Sequence, residues 1–121
     1  IHIPYMVMPM MASFNLEKNT YDLEINPDFP SDFEKYAREN GISNDDKIVL
    51  ICRSGSRSAR AADLLADLGY TQVYSVVDGY EGDKAKSGTE AGHRVVNGWQ
   101  NAGLEWSYKI DPEQVYPADR Y

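Results

Sequence analysis

The clearest hydrophobic pattern in the chain begins at Ile48. Ile48-Val49-Leu50-Ile51 is an apolar, mostly β-branched run without alternation, which predicts a strand buried on both faces of a parallel sheet. The chain turns polar immediately afterwards. From Ser58 onward Ala61, Leu64, Leu65 and Leu68 recur at spacings of three and four, and Gly69 ends the pattern, as in an amphipathic helix closed by a glycine. A second apolar run, Val73-Tyr74-Ser75-Val76-Val77, comes next. Strand, helix and strand in this order form a crossover, the connection that parallel strands require. The fold class is therefore α/β, with a mostly parallel sheet flanked by helices.

The flanking segments are less regular. Residues 1–30 hold four of the six prolines and all four methionines with no clear period, and read as extended and irregular. Met6, Met8, Met10 and Met11 carry thioethers of the kind that bind copper(I), but methionines filling gaps at a core or edge are commoner. Ser31 with Glu34 three residues later forms a capping-box pattern. Phe33, Tyr36 and Ala37 then give an apolar face and Gly41 a stop, so a helix of roughly ten residues is expected from Ser31. Between Asp78 and Gly98 lie five of the nine glycines, which predicts a long surface loop. Gly98 to Gly103 suits a short helical turn in which Trp99 anchors the returning chain. Trp99 and Trp106 read as packing residues. The tail from Ser107 carries Pro112 and Pro117 and is expected to lie extended on the surface.

Composition narrows the function classes. A chain of 121 residues with 42% hydrophobic content supports one modest core. A net charge of −7 without any basic run argues against nucleic acid and anionic membranes as partners, since both need a cationic face. Apolar runs of about five residues fall far short of the roughly 20 that span a bilayer, so the chain reads as soluble, with the cytoplasm and the periplasm equally open. The single cysteine, Cys52, allows neither an internal disulfide nor a multi-cysteine zinc site. His2 and His93 are isolated, and His93 in its glycine-rich loop reads as solvated.

Cys52 heads the loop Cys52-Arg53-Ser54-Gly55-Ser56-Arg57, between the first strand of the crossover and a helix starting near Ser58. Ligands of open α/β sheets bind beyond the carboxyl ends of the strands. The small residues Ser54, Gly55 and Ser56 allow consecutive N–H groups to point inward as an anion-binding nest, and the helix adds the positive end of its dipole. Arg53 and Arg57 add formal charge. Each of these features favours a thiolate, so Cys52 is a candidate nucleophile near neutral pH and Arg57, helped by Arg53, a candidate anion ligand.

The run from Ile48 to Ala59 resembles the rhodanese family, whose active-site loop of six residues is headed by a catalytic cysteine; it matches the C-R-S-G-x-R-S form common among single-domain bacterial members. Ala62, Leu65, Gly69 and Tyr70 resemble the family's next helix, Val73-Tyr74-Ser75-Val76 its next strand, and Gly98-Trp99 with Gly103-Leu104 its terminal segment. His2-Ile3-Pro4 is similar to an early N-I-P segment. The resemblance implies a domain over 1–106, entered after the family's opening strand and Asp-Val-Arg segment, with 107–121 a tail packed on it. The loop from Glu81 to Asn97 is longer than in the shortest members.

The implied activity is sulfur transfer through a Cys52 persulfide, from thiosulfate or another sulfane donor to cyanide or a thiol, without metal or organic cofactor. The backbone amides from Arg53 to Ser58 would hold the sulfur anion. Two other readings stay open: a cysteine-based phosphatase or arsenate reductase of the same fold, and a non-catalytic module that senses sulfide or binds a partner.

Overall fold

The computed structural model describes residues 1–117, and the last four residues of the expected tail lie outside them. The chain divides into two compact units, Ile1–Gly41 with Ile110–Tyr121, and Ile42–Lys109.

In the first unit, residues 1–30 are more ordered than their composition suggests. Strand β1 (Met6–Val7) pairs antiparallel with β4 (Glu24–Ile25), and between them β2 (Phe14–Asn15) pairs antiparallel with β3 (Thr20–Tyr21). Ladders of two residues are too short to display a period of two, which is why the sequence reads as irregular. Phe14 and Tyr21 face each other edge to face at 5.2 Å. Buried Asn26 braces the segment, its side-chain N–H donating to the Pro4 carbonyl at 2.9 Å and its side-chain oxygen accepting from the Asp28 N–H. Met6 is half-buried in β1, whereas Met8, Met10 and Met11 fill no gap: Met10 and Met11 are almost fully exposed and Met8 more than half.

Helix α1 (Phe29–Glu39) starts two residues before the expected Ser31. Pro30 occupies its first turn, where the missing N–H costs nothing. Ser31 is therefore inside the helix, and its hydroxyl donates back to the Asp28 carbonyl at 3.0 Å instead of capping. Phe29, Phe33 and Ala37 are buried, with Tyr5 edge-on to Phe29.

The second unit contains the crossover. Strand β5 (Lys47–Leu50), helix α2 (Ser56–Asp67) and strand β6 (Gln72–Ser75) follow in order, and the strands pair in parallel with Ile48 opposite Val73 and Leu50 opposite Ser75. The ladder continues through the Val76 N–H to the Leu50 carbonyl. Helix α2 packs against both strands, and Ala61, Leu65, Ile48 and Tyr70 are buried. Burial of β5 on both faces is not observed, because Val49 is 65% exposed. Ile48 and Val49 point to opposite faces of the pleat, and only the Ile48 side is closed. The parallel arrangement holds for this pair, while the other two described sheets are antiparallel.

The loop from Glu81 to Asn97 folds back on itself. Arg94 donates to the Gly82 carbonyl at 2.7 Å and lies 3.7 Å from the Glu81 carboxylate. Isolated bridges join Lys84 to Arg94 and Ala85 to Ala91. The expected helical turn is α3 (Gly98–Asn101), and the Trp99 indole N–H donates to the Glu105 carbonyl. Trp106 stacks edge-on with Tyr80 and Tyr108, a packing role as expected. Among the described residues no helix is long and apolar enough to cross a membrane.

Candidate active site

Strand β5 ends at Leu50, and two residues later Cys52 begins the turn into α2. The helix starts at Ser56, two residues before the expected Ser58, with Gly55 as its N-cap. Gly55 has φ +101°, a left-handed conformation that an L side chain rarely adopts. That reversal turns the Gly55 N–H toward the sulfur: it donates to Cys52 Sγ at 3.1 Å, and the Ser58 N–H does so at 3.3 Å. The Ser58 hydroxyl lies 3.4 Å from the same sulfur. Half-buried Cys52 thus sits at the focus of a cradle built from its own loop.

Burial pushes the Cys52 thiol up, but the Ser58 hydroxyl and the N–H groups of Ser58, Gly55 and Ser54 outweigh it, so the thiol is lowered to about 7. The sulfur is therefore substantially ionised near neutral pH. Alkylation by iodoacetamide, which requires the thiolate, should rise with pH to half its maximum near pH 7. A midpoint at or above that of an ordinary thiol would show that the cradle does not stabilise the anion.

Arg53 is exposed and Arg57 half-buried, and among the described residues neither guanidinium makes a hydrogen bond or ion pair. The first turn of α2 holds no acidic residue, so its positive end faces the loop uncompensated. Ser56 is exposed at the helix start, and Ser58 is buried. His93 is exposed, and among the described residues its hydrogen bonds are those of its backbone, to Ala85 and Glu90.

Two contributions escaped the sequence reading. The first is the returning chain after β6. The Tyr80 N–H donates to the Cys52 carbonyl at 2.7 Å, and the Glu81 and Gly82 N–H groups donate to the Arg53 carbonyl at 2.8 and 3.1 Å. This approach requires Gly79, where a Cβ would stand 2.5 Å from the Cys52 carbonyl oxygen. The second is Ser75, whose hydroxyl lies 2.8 Å from that of Ser58. Its signal was a lone small polar residue within the apolar run from Val73 to Val77. Along the chain that returns after β6, Val76, Val77, Val96, Trp99 and Leu104 line a cleft of about 480 Å³.

Comparison with known proteins agrees with this geometry. The family model of the Rhodanese-like domain matches residues 11–86. The chain is 31% identical over 86 residues to an uncharacterized protein, RP600, of Rickettsia prowazekii, covering 71% of this chain and 59% of that one. It is 31% identical over 81 residues to Rhodanese-like domain-containing protein 9, chloroplastic, of Arabidopsis thaliana, covering 67% and 32%. With the thiosulfate sulfurtransferase GlpE of Actinobacillus succinogenes it shares 34% over 70 residues, covering 56% and 49%. The chain thus spans about half the length of most of these relatives. An α/β crossover that delivers a cradled cysteine at its first turn, within a matched stretch of this extent, defines the class: the chain belongs to the rhodanese-like domain family. That family includes sulfurtransferases, GlpE among its named relatives here.

Proposed function

We propose that this domain is a sulfurtransferase that carries sulfane sulfur on Cys52. The observation that carries the reading is the convergence of two backbone N–H groups and one hydroxyl on a sulfur whose thiol is lowered to about 7. The Cys52 thiolate attacks the outer sulfur of thiosulfate; the new S–S bond forms as the old one breaks, and its electron pair leaves with sulfite. The persulfide that remains is an anion, and the cradle of Ser54, Gly55 and Ser58 is suited to hold it. An acceptor thiolate, or cyanide, then attacks the outer sulfur and Cys52 leaves as the thiolate, which restores the starting state. No metal or organic cofactor enters either step.

Loop length favours sulfur over phosphorus. A cysteine-based phosphatase places its arginine six positions after the cysteine, where it clamps two phosphate oxygens. Here that position is Ser58, and the arginine falls one earlier, at Arg57. The smaller cradle suits a terminal sulfur better than a tetrahedral phosphoryl group. The test is turnover of thiosulfate with cyanide beside hydrolysis of an aryl phosphate. Sulfur transfer is expected with negligible phosphate release. Cys52-dependent phosphate hydrolysis exceeding sulfur transfer would reverse the assignment.

Arg57 is the ligand proposed for the donor's oxyanion, with Arg53 assisting. Arg57→Ala should lower kcat/KM for thiosulfate roughly tenfold to a hundredfold, the scale of one lost charge-assisted bond of about 1.5–3 kcal/mol. Use of an uncharged persulfide donor should change much less. Equal losses with both donors would move Arg57 from binding to loop structure.

A further inference from the structure

The Ser58 hydroxyl has more neighbours than protons. Its oxygen lies 3.4 Å from Cys52 Sγ, 3.1 Å from the Gly55 carbonyl oxygen and 2.8 Å from Ser75 Oγ. A hydroxyl owns one proton and two acceptor sites. The proton therefore goes to only one of the three, and which one depends on what the others do.

While Cys52 is a thiol, its S–H donates to Ser58, and the Ser58 proton is free to bond the Gly55 carbonyl. Once the sulfur is ionised it can only accept. The Ser58 proton is then worth most on the sulfur, where the bond is charge-assisted. That orientation leaves the Ser58 oxygen needing a donor, and the closest hydroxyl is that of Ser75. If Ser75 instead accepted from Ser58, the proton would be drawn away from the sulfur. Ser75 makes no other side-chain hydrogen bond among the described residues, so its own proton is uncommitted.

We propose that Ser75 is a positioning residue: it donates to Ser58 and thereby holds the Ser58 hydroxyl as a donor to the Cys52 sulfur anion. The chain of donors runs Ser75 to Ser58 to Cys52, each bond polarising the next in the same sense. The end of β6 is thus coupled to a sulfur it does not touch. For sulfur transfer, and resting on the reading above, the same chain steadies Cys52 both when it attacks and when it departs.

Other charged or titratable groups on the elements around the loop are Arg53 and Arg57 of the loop itself, Arg60, Asp63 and Asp67 of α2, Tyr74 of β6, and Asp78 with the Glu81–Arg94 pair on the returning chain; Lys47 begins β5 at its opposite end. Substitution at Ser75 leaves all of them in place. The experiment is the pH profile of Cys52 alkylation by iodoacetamide in Ser75→Thr and Ser75→Val, two side chains of the same shape of which one keeps the hydroxyl. Ser75→Ala serves as the smallest change if the branched residues disturb the strand.

Val and Ala should raise the alkylation midpoint by about half a pH unit and slow alkylation below it about threefold, whereas Thr should retain the parent midpoint. In a Ser58→Ala background the Ser75 substitutions should add nothing, since the intermediary is gone. An unchanged midpoint in Val and Ala, equal shifts in Thr and Val, or a full Ser75 effect without Ser58 would overturn the proposal. Alkylation uses no sulfur donor. A shifted midpoint in a protein that takes up no sulfur would therefore remove the sulfurtransferase reading and leave the hydroxyl chain standing.

Discussion

Gly55→Ala should disable the sulfur site and cost about 3 kcal/mol of stability, a fall in Tm of roughly 10 °C or more. Two costs combine. The backbone at φ +101° is strained for any residue with a Cβ, and that Cβ would stand 1.8 Å from the Val77 carbonyl oxygen. The obstacle is backbone, so it cannot be relieved by a side-chain rotation. Gly55 also holds three bonds while Cys52 is a thiol: its N–H donates to Cys52 Sγ, and its carbonyl accepts from the Ala59 N–H and from the Ser58 hydroxyl. Moving it far enough to clear Val77 disturbs the helix cap and the cradle together. The alkylation midpoint of Cys52 should rise with the loss of stability. A variant with the parent's melting temperature and midpoint would show that the loop is far more yielding than its contacts imply.

Cys52→Ser should abolish thiosulfate turnover while leaving the fold nearly unchanged. An oxygen at this position can still accept from the Gly55 and Ser58 N–H groups, so the loop keeps its partners. A serine hydroxyl, however, does not ionise near neutral pH even in a cradle of this kind, and no second cysteine exists to replace it. Calorimetry should place the variant within about 1 kcal/mol of the parent, the usual range for a change that keeps volume and hydrogen bonds. Turnover should fall to background. Residual Cys52-independent transfer would place the chemistry elsewhere.

The crossover and the catalytic loop were legible because their signals are local. An apolar run, a helical spacing ended by Gly69, and six residues between strand and helix lie within one stretch from Ile48 to Val77. Chemistry at Cys52 could be read from its neighbours because the groups that act on its sulfur, Ser54, Gly55 and Ser58, lie within six residues of it. The clamp from Tyr80, Glu81 and Gly82 was not legible, since it is made of backbone N–H groups arriving from nearly thirty residues away. Side-chain patterns carry no record of such bonds beyond a density of glycine. Ser75 was quoted in the sequence as part of a strand, but only the parallel register opposite Leu50 brings its hydroxyl to Ser58. The start of α1 was misplaced because Ser31 and Glu34 make a good capping pattern, while Pro30, which fits the first turn at least as well, allowed the helix to begin earlier. The unbroken apolar run from Ile48 to Ile51 predicts burial of Val49, but one covered face is enough to fix the strand.

Intact mass spectrometry of the parent protein after incubation with thiosulfate tests the sulfur-carrier role most directly. The expected spectrum shows a species heavier by one sulfur atom, which disappears when a thiol acceptor is added and never forms in Cys52→Ser. An unchanged mass after exposure to thiosulfate and to persulfide donors, in a protein whose Cys52 still alkylates with a midpoint near pH 7, would contradict it.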